Sequence, residues 1–126
     1  MEVLNSMAVT PEGKIKKQLR KLLDEFTEQM NVTYNGTTFS VPTLKQFWPV
    51  PSGFGKSDLD CIVCYGGQYI AIETKAPGKK PTPRQDLQIA ETIGADGYVF
   101  VIDGDQGLLR LRHVLEHIRE NHVRNR

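Results

Sequence analysis

The stretch Asp60-Cys-Ile-Val-Cys-Tyr-Gly-Gly-Gln-Tyr-Ile-Ala-Ile-Glu-Thr-Lys75 constrains this chain more than any other. Two short apolar runs meet at Gly66-Gly67, and paired glycines supply the positive φ that a two-residue hairpin turn needs. The spacing therefore predicts an antiparallel strand pair. Side chains alternate along a strand, so Glu73 and Lys75 share one face of the second strand, and Asp60, Ile62 and Cys64 share one face of the first. A tight turn makes the start of the first strand a neighbour of the end of the second. Asp60 and Glu73 thus meet at one sheet edge with the Lys75 ammonium beside them. Two carboxylates that close repel, and a single lysine neutralises only one. A divalent cation resolves the conflict, and hard oxygen ligands favour Mg2+ or Mn2+ over zinc. Phosphate is the usual substrate of such a site. Asp58 shares the face of Asp60 and competes for the ion; Asp60 is preferred because it directly precedes the apolar Cys-Ile-Val-Cys run.

The order Asp, strand, turn, Glu-x-Lys resembles the PD-(D/E)xK nuclease superfamily. The longer runs Ser57-Asp-Leu-Asp60-Cys-Ile-Val and Ile72-Glu73-Thr-Lys75-Ala-Pro-Gly-Lys-Lys-Pro-Thr-Pro-Arg-Gln85 are similar, more narrowly, to the VRR-NUC branch and its small stand-alone phage and bacterial members. The likeness extends from about Thr10 to Asp103. It implies an α/β, restriction endonuclease-like fold with a central mixed β-sheet flanked by helices. It also implies a metal-dependent nuclease that hydrolyses DNA phosphodiester bonds, selective for branched or junction DNA and acting as a homodimer on Holliday junctions. Carried onto this chain, Asp60 and Glu73 hold Mg2+ or Mn2+, the Thr74 carbonyl is a further ligand, and Lys75 positions water or meets the developing charge. Glu12 and Gln85 assist. Lys16, Lys56, Lys79, Lys80 and Arg84 are the expected contacts to the nucleic-acid backbone.

At 126 residues the chain supports one domain with one core, so residues 1–126 are read as a single nuclease domain. Charged residues at 25% and hydrophobic residues at 39% are ordinary for a soluble globular protein. No apolar run approaches the roughly 20 residues a membrane span needs, and the basic-then-apolar pattern of a signal peptide is missing. No membrane association is expected, and a cytoplasmic location follows, in a bacterial cell or a phage-infected host. The net charge of +1 argues for no partner, but its distribution does. Lys14, Lys16, Lys17, Arg20 and Lys21 form one basic cluster, and Lys75, Lys79, Lys80 and Arg84 another. Each is either a phosphate footprint or a solvated polar surface.

Along the chain, residues 1–9 carry no usable pattern and are expected to be mobile. Thr10-Pro11 starts a helix whose buried stripe is Ile15, Leu19, Leu22, Leu23, Phe26 and Met30. Glu12 falls on that stripe. It is either a favourable charge in the first turn or, as the resemblance implies, an extra acid near the metal. Asn35-Gly36 marks a hairpin turn within 31–41, and Leu44 to Val50 is the expected first strand of the main sheet, with Pro49 and Pro51 closing it. Gly55-Lys56-Ser57 lacks the glycine five residues earlier that a phosphate-binding P-loop requires, because Val50 stands there. Thr82-Pro83-Arg84-Gln85 reads as a capping box, which gives the Gln85 amide a backbone partner as an alternative to a role at the site. Leu87, Ile89, Ala90 and Ile93 continue that helix to Gly94, and Tyr98 to Ile102 follows as a buried parallel strand reached by a βαβ crossover.

Leu108, Leu111, Leu115 and Ile118 mark a last helix. Its His113 and His117, four apart, lack a third ligand and read as solvent-facing. Cys61 and Cys64 are read as packing cysteines, since residues three apart on a strand face opposite ways and no further zinc ligands accompany them. Trp48 and Phe54 are either the exposed apolar patch that an interaction or structural protein would need, or core or base-stacking residues. The rival reading from another class is a catalytically silent nucleic-acid-binding module whose carboxylates are only a polar sheet edge. Against it, Asp60, Glu73 and Lys75 are all intact.

Overall fold

The computed structural model describes residues 10–50 and 59–123; Lys56, Phe54, Asp58 and the segment 1–9 lie outside the described residues. The first helix, α1 (Pro11–Phe26), begins as its sequence dictates, with the Thr10 hydroxyl accepting from Gly13 N at 2.9 Å and proline at the first helical position. It buries Ile15, Leu19, Leu22, Leu23 and Phe26. The stripe was expected to reach Met30, but the helix stops four residues earlier. Thr27 turns extended, its hydroxyl bonding Leu23 O at 2.8 Å and its N–H bonding Asp24 O at 3.1 Å, so the last carbonyls are satisfied and Met30 enters a strand.

That strand, β1 (Gln29–Tyr34), pairs antiparallel with β2 (Thr37–Pro42) as a separate two-stranded sheet. Asn35 at φ 51° and Gly36 at φ 80° make the turn, both left-handed as a type I′ connection requires. The main sheet has the order β3-β4-β5-β6, from β3 (Leu44–Phe47), β4 (Cys61–Tyr65), β5 (Gln68–Thr74) and β6 (Tyr98–Ile102). β4 pairs antiparallel with both β3 and β5, and β6 runs parallel to β5 after the crossover helix α2 (Pro83–Gly94). The fold is thus mixed α/β, with a mixed four-stranded sheet flanked by helices.

The core lies on one face of this sheet. Cys61, Val63 and Tyr65 of β4, Ile70 and Ile72 of β5 and Ile102 of β6 meet the α1 stripe and Leu111, Leu115 and Ile118 of α3 (Asp105–Asn121). Burying a Leu or Ile side chain stabilises by roughly 1.5–3 kcal/mol, so this face carries most of the folding energy. The opposite face is thinly covered. Among α2 residues only Gln85 is buried, while Leu87 and Ile93 stay exposed. Consequently β6 is an edge strand with only Ile102 fully buried, rather than the enclosed strand that its apolar run predicts.

Gly66 and Gly67 turn the β4–β5 hairpin at φ 56° and 77°. Gly66 also sits under the end of α3: a Cβ there would stand 2.9 Å from His122 Cβ and from Ile118 Cγ2. Among the described residues no helix is long and apolar enough to cross a membrane.

Candidate active site

The hairpin register places Cys61 opposite Ile72, so the next position outward sets Asp60 against Glu73. The main-chain N–H of Asp60 donates to Glu73 Oε1 at 3.0 Å. Both carboxylates are buried, Asp60 5% and Glu73 3% exposed. Buried carboxylates persist only when their oxygens are well bonded, and these are. Asp60 Oδ2 accepts from Thr74 N at 2.8 Å and from the Thr74 hydroxyl at 2.7 Å. Glu73 Oε2 accepts from Gln85 Nε2 at 2.7 Å and lies 3.2 Å from Lys75 Nζ. Glu73 and Lys75 share a face, as strand alternation requires.

Gln85 completes the capping box expected of it and also reaches Glu73. Its Oε1 accepts the Thr82 N–H at 3.0 Å while the Thr82 hydroxyl accepts Gln85 N at 3.2 Å, completing the capping box. Its Nε2 is thereby turned outward to Glu73. An amide with one acceptor and a separate donor group does what a carboxylate at this position could not.

Lys16 is where the structure departs most from the sequence reading. Expected on the nucleic-acid surface, it reaches inward from α1 to Asp60 Oδ1 at 3.5 Å and also pairs with Glu12 Oε2 at 3.3 Å. Burial pulls its pKa down, but Asp60 and then Glu12 outweigh that and hold the ammonium above its usual value. Glu12 itself is not on the buried stripe. Its side chain is 39% exposed, and it touches the site through Lys16 rather than by facing inward. The premise that one lysine must serve two carboxylates is also corrected, because Lys16 and Lys75 each accompany one.

Thr74 was expected to offer its carbonyl. Its side chain and N–H in addition clamp Asp60, a role that strict alternation hides because Thr74 and Glu73 point to opposite faces. Asp60 lies in a bend just before β4, which frees its carboxylate to reach across. Lys79, Lys80 and Arg84 are exposed, at the turn after β5 and at the start of α2. Trp48 is half-buried, with the Arg20 guanidinium 3.8 Å over its ring. Cys61 is the buried packing cysteine expected, and burial pushes its thiol up to about 12; Cys64, read the same way, is instead exposed because strand alternation turns it to the other face. His113 and His117 are exposed on α3.

Carboxylate and carbonyl oxygens are the donors that hard ions prefer over zinc. Among the described residues no three His, Cys, Asp or Glu side chains are grouped for metal binding. Magnesium is commonly held by one or two carboxylates with waters and substrate phosphate filling the rest, and each carboxylate oxygen has two lone pairs to share. Asp60 and Glu73 would hold such an ion, with the Thr74 carbonyl the further oxygen at the same strand end. Set against family models, curated proteins and solved structures, the chain matches none of them, so its site is read from its own chemistry.

Proposed function

We propose that the chain is a divalent-metal-dependent nuclease hydrolysing DNA phosphodiester bonds, a VRR-NUC-like member of the PD-(D/E)xK superfamily on a restriction endonuclease-like fold. The observation that carries this reading is the convergence of Asp60, Glu73 and Lys75 at the end of one strand pair, with both acids buried and their positions fixed by hydrogen bonds. Bound there, Mg2+ or Mn2+ supplies a Lewis acid for the phosphoryl oxygen and lowers the pKa of an attacking water toward neutrality.

The remaining work falls to the chain's own groups. Thr74 fixes the Asp60 carboxylate through two donors, and Gln85 fixes that of Glu73, so neither reorganises when charge builds on the phosphate. Lys75, 14% exposed, brings its ammonium beside Glu73, where it can donate to a phosphoryl oxygen with little competition from water. Lys79, Lys80 and Arg84 are exposed and lead into the helix that carries Gln85, which suits them to hold the flanking backbone. Action as a homodimer belongs to the same proposal, because a domain of 126 residues covers little duplex by itself, and selectivity for branched DNA is what the VRR-NUC resemblance implies.

Incubating the protein with linear, flapped, nicked and four-way DNA, with and without Mg2+, tests the reading. Wild type is expected to cut only with the ion, and Glu73→Ala to lose cleavage by roughly 100-fold or more while its far-UV circular dichroism is unchanged. Undiminished cleavage by Glu73→Ala would remove this site from the mechanism. One observation favours a silent DNA-binding module instead: each carboxylate already has a lysine beside it. Binding of four-way DNA without cleavage in either Mg2+ or Mn2+ would decide for that module.

A further inference from the structure

The nuclease reading gives Lys16 a contact to the DNA backbone and leaves its pairing with Asp60 unexplained. Lys16 stands on the first turns of α1, one residue beyond the buried Ile15, so the packing of α1 fixes where its stem starts. From there the ammonium lies 3.5 Å from Asp60 Oδ1, the oxygen opposite the one that Thr74 clamps. Thr74 thus turns Oδ1 toward α1. Glu12, one helical turn earlier, holds the same ammonium from the solvent side at 3.3 Å. The Lys16 side chain is 37% exposed, so it can swing outward without disturbing the core.

We propose that Lys16 is a resident counter-ion that occupies the ion-binding side of Asp60 until a divalent cation takes its place, and that the displaced ammonium then serves the DNA backbone. The inference rests on the metal-dependent reading of the site. Its physical content is a competition of like charges: the ammonium beside Oδ1 repels a dication approaching the same oxygen, so binding of the ion is weakened by Lys16, and binding of the ion releases a positive charge at the rim. Glu12 restrains that charge when the site holds no ion. By linkage, the ion strengthens DNA binding by the same factor by which DNA strengthens ion binding. Lys16 therefore acts on the two ligands with opposite signs, which a merely structural lysine would not do.

The test compares Lys16→Met with Lys17→Met, an equal change of charge at the next, exposed position of the same helix. Mn2+ is titrated by calorimetry into each chelator-stripped protein without DNA. Lys16→Met is expected to bind Mn2+ about three- to tenfold more tightly than wild type, since the lost pair is partly exposed and screened. Lys17→Met is expected to match wild type. Fluorescence anisotropy with a labelled four-way DNA, with and without Ca2+ as a hard ion, should show the ion strengthening DNA binding in wild type by a larger factor than in Lys16→Met. Wild type that takes up no Mn2+ would overturn the metal reading and this inference together. Wild-type uptake with Lys16→Met indistinguishable from Lys17→Met, or with the Ca2+ effect on DNA binding undiminished, would overturn the role of Lys16 alone.

Discussion

The protein contains two hairpins with nearly the same turn chemistry and opposite fates. Asn35-Gly36 and Gly66-Gly67 each place two consecutive residues at positive φ. Yet β1–β2 is largely exposed, while β5 is buried from Ile70 to Thr74. The first hairpin aligns Met30 with Val41 and Val32 with Phe39 on one face, but Phe39 remains 48% exposed and Tyr34 75%. From Gln29 to Pro42 it carries no charged side chain. The second hairpin is covered by α1 and α3 on its core face, and it is there, at its covered end, that the chain buries two carboxylates. A turn motif predicts that strands will pair. What lies over the pair decides whether its polar residues are solvated or held for chemistry.

The largest expected contrast is in stability. Ile70→Ala, in the covered hairpin, should cost about 2–5 kcal/mol, whereas Phe39→Ala in the exposed one should cost about 0.5 kcal/mol, both read from urea denaturation midpoints. Equal costs would mean that β1–β2 is covered in solution and would break the comparison. The turns give a sharper and smaller difference. Alanine at Gly36 meets no atom within 4 Å and carries only the left-handed backbone penalty, about 1–2 kcal/mol. At Gly66 the same penalty is joined by a close approach to His122 and Ile118, so Gly66→Ala should lower the thermal midpoint further than Gly36→Ala. Parity between them would place the end of α3 elsewhere.

The smallest effect separates the two faces of β4. A thiol reagent at neutral pH should label Cys64 in the folded protein and leave Cys61 unlabelled until denaturant is added. Because burial raises the Cys61 thiol from 9.0 to about 12, the unfolded chain ionises first as pH rises. Its contribution to stability is then complete below pH 9.0 and lost between there and about 12, detectable as a falling denaturation midpoint that Cys61→Ala should flatten. Rapid labelling of both thiols under native conditions would contradict the alternation.

Much of this was legible in the chain because local rules suffice for it. Thr10-Pro11 and Thr82-Pro83 start helices through their own hydroxyls, and the double-glycine and Asn-Gly turns fix two hairpins together with the meeting of Asp60 and Glu73. Where the reading failed, the missing term was tertiary. The stripe to Met30 kept helical spacing, but the Thr27 hydroxyl offered the chain an earlier exit. The apolar run of β6 looked enclosed, yet α2 buries too little to cover it. Lys16 was assigned to the surface because a basic helix gives no sign of which lysine will face a sheet end. The one clue was its place beside Ile15, with Glu12 a turn behind, at the margin of the buried stripe. The clamp of Thr74 on Asp60 crosses the sheet at a bend, and strand periodicity has no means to foresee it.

The shared amide of Gln85 carries a last consequence. One end of it fastens the first turn of α2 and the other steadies an acid, so the pivot on which that helix begins also props the buried carboxylate of Glu73. On the nuclease reading proposed above, a phosphate that pulls on Glu73 would pull, through that one planar group, on the segment that bears Arg84 and follows Lys79 and Lys80. Holding the DNA and cutting it would then be coupled through Gln85.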